Sequence, residues 1–504
     1  VLPIIVLGLS IFDFVMVGIK ISPVIKNQDA IIARLQASAD EQKAIGYKQM
    51  QSLNNAYTWN MHVDIVNKTV PLFKLDKSFE NERLSYLQDS FGYVENTNKN
   101  ISTVHVQSGT ILGNPFLIHT VKVMQMLPYA YHGSLTYTYT VRVRNGGKNG
   151  GYHTETRTDT VHATITKPKP NYNYEKFLYY GCDAAPDLSF SREPSGIKGK
   201  NENEIKKYVA KQEKELSKLV EKGTSTGFTA LGNKQFESLF HSWDRDNEVQ
   251  YRLLFTPLAQ KNYLDLIKND TPYGDDFYLK KTCKLNKVRT DHSQYVDYVC
   301  APNQFVHFSY RDALQNFVNY NETYFRSFYF DMAVLMSIPL YQQYPTDDYI
   351  FNKQLPNKNT MHENEAMANM FDSSNFRPNA CATELILKGA NAGTDGDADR
   401  VNITAYGYKT IEHVDYVPVL GKDGHMHNVP VHWIEYIPVS KVTQIGVLHH
   451  ALTKTQLDKK VETDSFRNFK IRTGGVIYNK EFYSYIIPQG SEITKQNVDE
   501  LIKD

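Results

Sequence analysis

Four short clusters hold the residues best suited to chemistry. Tyr273, Gly274, Asp275 and Asp276 place two carboxylates side by side at a turn. Such a pair can hold two Mg²⁺ ions for phosphoryl transfer. His362 and Glu363 open like a His-Glu-x-x-His helix, in which two imidazoles one turn apart bind zinc. Ala366 stands where the second histidine is needed, so that set is one ligand short and reads as a helix start. His413, His425, His427 and His432 gather around a turn at Gly421 to Gly424. His425 and His427, two residues apart, would share a strand face as metal ligands can. No cysteine or well-placed carboxylate completes a set with them, so exposed hairpin residues are the reading. Asp395, Asp397 and Asp399 begin like a calcium loop. That loop needs Gly at its sixth position and Glu at its twelfth, where this chain has Arg400 and Tyr406. An acidic, solvated loop fits better.

The Tyr-Gly-Asp-Asp run resembles the metal-binding turn of reverse transcriptases and RNA-dependent RNA polymerases. Those families also need an upstream aspartate on a separate, distant strand. Asp244 and Asp246 are too close in sequence to serve, so a plain turn is the reading. No Gly-x-Ser-x-Gly elbow, Walker loop or dinucleotide fingerprint is present, and no cofactor is expected. The four cysteines are Cys182, Cys283, Cys300 and Cys381, none in a Cys-x-x-Cys pair, which excludes zinc ribbons and thioredoxin-like chemistry. Cys283 and Cys300 flank an apparent hairpin where a disulfide could form. Sparse cysteines in a long chain point instead to free structural thiols.

At 504 residues the chain exceeds one ordinary core, and ~150 residues per domain suggests about two or three domains. The net charge of +1, with no long run of like charge, gives no pull towards nucleic acid. Lysine far outnumbers arginine, and Asn and Ile are abundant.

Residues 1–21 are apolar enough for a transmembrane helix, apart from Asp13 and Lys20. Lys20 can snorkel to the interface. Asp13 would cost about 2.5–3.5 kcal/mol facing lipid, so it is expected to contact a partner helix. The chain begins with Val, and that partner is expected either upstream or in another chain. Orientation is open, because the flank that sets the charge bias is not in the sequence. Ser22 and Pro23 then read as N-cap and first helical position of a juxtamembrane helix over 22–58. Ile25, Ile32, Leu35 and Ala39 lie near one of its faces, but Gln28, Gln42 and Gln49 weaken any heptad.

The body reads as α+β with antiparallel sheet and long hairpins. Period-two patterning predicts a β-rich domain over 59–170, with strands at 101–106, 116–126 and 134–144. A glycine-rich tip at 145–151 returns the chain through 152–165. Lys167, Pro168, Lys169 and Pro170 are expected to end this hairpin. A mixed, largely helical region follows over 171–400. It carries predicted helices at 203–222, 236–239, 258–268 and 312–327, and a buried apolar stretch at 328–341. A β-rich region is expected over 401–504, closing with a short helix at 493–502.

Taken together, these features predict a non-enzymatic, membrane-anchored structural or protein-interaction component, bound to protein partners or to copies of itself. Alternatives are an anchored hydrolase with a scattered His/carboxylate site and a ligand-binding receptor. The chain is similar to membrane-anchored hypothetical proteins of low-GC bacteria, mollicutes and their relatives. The likeness rests on the hairpin segment from Gly133 with Lys167 to Pro170, on the stretch from Asp246 to Gln260, and on the composition. It implies no activity and no site residues.

Overall fold

Alternating Thr, Tyr and Val build the longest elements of the protein, because β-branched and aromatic side chains pack well on a pleated surface. The computed structural model describes residues 22–144, 146, 150–222, 228–269, 273–344, 359–395, 398–449, 476–479 and 482–487. The expected membrane span with Asp13 and the closing helix at 493–502 lie outside them. Among the described residues no helix is long and apolar enough to cross a membrane.

In chain order the elements begin with helices α1 (Ser22–Gln49), α2 (Gln51–Asn54) and α3 (Met61–Thr69), then β1 (Phe73–Leu75) and α4 (Asn81–Phe91). Strands β2 (Ile101–Ile111), β3 (Asn114–Arg144), β4 (Tyr152–Gly181) and β5 (Phe190–Arg192) follow. Next come α5 (Glu202–Lys222), α6 (Lys234–Phe240), α7 (Glu248–Leu254) and α8 (Pro257–Lys268), then β6 (Phe277–Thr282) and β7 (Leu285–Thr290). The rest comprises α9 (Tyr310–Met336), α10 (Pro339–Gln343), α11 (Met361–Met370), β8 (Ile386–Asp395), β9 (Ala398–Leu420), β10 (Met426–His449), β11 (Val476–Asn479) and β12 (Phe482–Ile487).

The helices start where side chains satisfy their free amides. Asn233, Asn247, Thr256, Ser309 and Thr360 cap α6, α7, α8, α9 and α11. Gly92, at φ 73°, closes α4 in the left-handed conformation that glycine tolerates.

The fold is α+β, with two antiparallel sheets. One runs β1-β2-β3-β4-β7-β6-β5, the other β11-β12-β10-β9-β8. The main core lies against the first sheet and joins Phe116, Tyr180, Phe190, Phe236, Phe255, Tyr263, Phe277 and Phe328. A second core packs α11 on the other sheet through Met367, Phe371, Ile403 and Ile445.

Three expectations are corrected here. Residues 116–126 and 134–144 belong to one strand, β3, of 31 residues. The prolines at 168 and 170 do not end the hairpin, since β4 continues to Gly181. They are tolerated because, among the described residues, no third strand pairs there: β2 leaves β3 at Val123 and β7 leaves β4 at Leu178. A proline amide on such an edge forfeits no ladder bond. The second β-rich region also starts earlier than expected, at Ile386.

Beyond those points β3 and β4 form a two-stranded ribbon, and residues 124–144 of β3 span roughly 70 Å at ~3.3 Å per residue. The outer parts of β9 and β10 form a second ribbon. The two pack face to face through Val161, Ala163, Val429 and Val431, with Tyr131, Leu135, Tyr137, Ile165, Val417 and Val419 around them. Lys167 bonds Asp415 at 3.1 Å and Lys422 bonds Asp159 at 2.9 Å across the seam. At Gly133 the backbones approach so closely that a Cβ would run into the carbonyl oxygen of Pro430. Gly133→Val should therefore wedge the ribbons apart and cost about 1–3 kcal/mol. Urea unfolding, with tryptic cleavage at Lys422 as a second readout, checks this.

Candidate functional site

The paired aspartates of the Tyr-Gly-Asp-Asp run are spoken for within the protein. Asp275 forms an ion pair with Arg192, and both side chains are fully buried. Ser195 Oγ donates to the second Asp275 oxygen at 2.7 Å, and the guanidinium lies 3.7 Å from the Phe277 ring centre. Asp276 Oδ2 faces His292 Nδ1 at 2.6 Å, and Tyr273 stacks on that imidazole at 3.7 Å. On the far side His292 Nε2 is 3.5 Å from Asp331, whose carboxyl burial pushes up. Asp244 and Asp246 hold Ser191 and Ser189 instead of approaching this turn. The plain-turn reading fits this arrangement, in which the carboxylates pin the turn to the core.

Helix α11 carries the zinc-like run, and its polar residues are buried, not merely a helix start. Glu365 accepts from the amides of Thr103 and Gly389 and pairs with Lys388 at 2.8 Å. Glu363 accepts from the Phe79 amide. His362 Nδ1 and His119 Nε2 both contact Thr103 Oγ1 at 3.0 Å, and His362 Nε2 lies 3.2 Å from Glu95. The helix thus ties β2 to β8 through the buried Glu365 carboxylate, bonded to an amide on each strand.

The hairpin histidines do not converge. His425 is exposed on the turn, one residue before β10 begins, so it shares no strand face with His427. His427 is bonded to Asp423 at 3.0 Å and stacks on Tyr137 at 3.8 Å. His413 pairs with Glu435 and stacks on Trp433. His432 is exposed. Among the described residues no group of three or more His, Cys, Asp or Glu could hold a metal ion. Asp395 and Ala398 close a β8–β9 hairpin, and Asp397 lies outside the described residues.

All four cysteines are free. Cys283 is exposed in the β6–β7 turn, whereas Cys300 is buried beside His62, with Sγ in contact with Nδ1. No local motif announces this pair, which is separated by 238 residues. The imidazole is caged by Phe305, Tyr320, Tyr324 and Phe325. The Asn321 side chain also hydrogen-bonds it. Asn321 Nδ2 also donates to the Phe317 carbonyl at 2.7 Å, which holds the amide in place. Burial pushes the Cys300 thiol up to about 12 and the His62 imidazole down to about 4. The pair therefore rests neutral. A cavity of about 220 Å³ adjoins it, walled by Trp59, Val63, Val106, Tyr324 and Met370.

No known protein family, curated protein or solved structure matches this chain.

Two outcomes follow from these burials. Asp275→Asn leaves Arg192 buried without its counter-charge and should cost about 3–5 kcal/mol in urea unfolding, with added Mg²⁺ making no difference. His62 binds a proton in the unfolded chain near pH 6.5 but in the folded chain only near pH 4. Its contribution is complete above pH 6.5 and declines as pH falls towards 4, by roughly 3 kcal/mol. A His62→Phe variant should lose that part of the acid sensitivity when urea midpoints are compared across pH.

Proposed function

We propose that the chain is a membrane-anchored structural component of a bacterial membrane assembly, self-associating through α1 and presenting the paired ribbons to protein partners. The observation that carries this reading is α1 itself. It runs 28 residues, Val24 to Ile45 are exposed, and Gly46 and Tyr47 then meet the body at Phe308. Val24, Ile25, Ile31, Ile32, Leu35 and Ile45 all stand exposed on it. A helix with so little packing is marginal in water, and its stability ordinarily comes from a buried apolar face.

A second copy of this chain is the occupant. Residues 1–21 immediately precede α1 in the sequence, and a membrane holding them would line up α1 helices side by side. Asp13, unfavourable against lipid, calls for a neighbour at the same place. The lysine-, asparagine- and isoleucine-rich composition supports a bacterial setting. The ribbons support presentation: Leu127, Tyr129, Ile411, Val414 and Tyr416 are exposed along them. Pro128, Pro168, Pro418, Pro430 and Pro438 discourage edge-to-edge pairing with other strands, which favours recognition by faces.

Mass photometry of the full-length chain in detergent tests this. The wild type should run as an oligomer, Ile32→Asp with Leu35→Asp as a monomer, and Asp13→Leu as a weakened oligomer. A monomeric wild type would sink the reading.

A further inference from the structure

The structure brings together a nucleophile, a base and an orienting amide from three distant parts of the sequence. His62 comes from α3, Asn321 from α9, and Cys300 from the segment between β7 and α9. Cys300 sits at φ 51°, a left-handed backbone conformation that a side chain adopts only when its surroundings hold it there. Cys300 and His62 both line the 220 Å³ cavity, together with Asn60, His105 and Lys77. Lys77 is exposed, which marks the side of the cavity that meets solvent.

We propose that Cys300 is the nucleophile of an acyl-transfer site, with His62 as its general base and Asn321 positioning the imidazole. The substrate class is a small ester, thioester or amide with a compact apolar acyl group. The walls are largely apolar, and the cavity is smaller than the ~300–1,000 Å³ of ordinary ligand pockets. This goes beyond the assembly role and does not rest on it.

The step balances without an outside oxidant or reductant. As Sγ bonds to the acyl carbon, the thiol proton passes to His62 Nδ1. The bond from acyl carbon to the leaving oxygen, sulfur or nitrogen then breaks, and the leaving group takes that proton. Water attacks the thioester next, giving its proton to His62. The carboxylic acid departs, and the proton returns to sulfur. The resting pair is neutral, so proton transfer accompanies attack, as with hydroxyl nucleophiles, instead of preceding it as a thiolate. The Asn321 hydrogen bond raises the basicity of His62 against the lowering effect of burial.

The probe is p-nitrophenyl acetate, given to the full chain, with nitrophenolate release followed and acetylated cysteines mapped by peptide mass spectrometry. Cys283 is an internal control, because it is exposed and not paired with His62. Cys300 should be acetylated faster than Cys283, with continuing turnover that Cys300→Ser abolishes. His62→Asn should slow Cys300 acetylation by about 100-fold. Asn321→Ala should slow it less and move the acid limb of the pH–rate profile to lower pH, a change that a packing defect alone does not produce. Acetylation of Cys283 with Cys300 untouched in the folded chain overturns the proposal. So does a folded His62→Asn variant that reacts at the wild-type rate. If His62→Asn does not fold, an Asn321→Ala profile identical to the wild type overturns it instead.

Discussion

A two-stranded ribbon cannot bury an apolar face on its own, and the outer half of this protein is organised around that constraint. Isolated hairpins are marginal in water. Here each ribbon supplies the other's missing layer, and Val161, Ala163, Val429 and Val431 make the dry seam between them. Both ribbons are extensions of sheet strands, so their packing fixes the relative position of the two sheets. Lys122 with Glu384 at 2.7 Å, and Tyr172 with Thr383 at 3.1 Å, continue the join at the root. Helix α11 then fills the space between β2 and β8 with bonded carboxylates in place of hydrocarbon alone.

The core beneath the first sheet follows a related rule, since it buries charge and pairs it. Arg192 with Asp275, and Arg245 with Glu237, are fully buried ion pairs. Lys281 is fully buried and donates to the carbonyls of Ala184 and Cys283. Such groups add little net stability compared with apolar replacements, but removing one partner is severe. They specify which turn lies against which strand. The paired Asp275 and Asp276, which looked like chemistry in the sequence, are this kind of fastening.

The sequence made the α+β class, the first ribbon and most helices legible, because each carries its own period and its own capping residues. Ser309, Asn247 and Thr256 are local signals, and they mark where helices begin. The continuous β3 was missed because Pro128 and Gly133 look like breaks, yet on an edge and at a backbone crossing they are what the fold requires. The burial of α11 was missed for the opposite reason. His362 and Glu363 read as an ordinary helix start, and only the facing strand and loop supply their partners. The Cys300 and His62 contact had no local signature at all, since no spacing rule links residues so far apart.

The seam has an end, and that end matters. At Tyr137 the phenol takes the amide of Lys422 and stacks on His427, and there the β9–β10 ribbon turns back. The β3–β4 ribbon continues alone to Arg144 and Tyr152. A doubled layer resists bending far more than a single one, as a laminated beam outperforms one plank. The arm is thus a stiff shaft carrying a compliant blade, with its joint at Tyr137. Load applied at the blade bends the single layer beyond Tyr137 before it bends the doubled one.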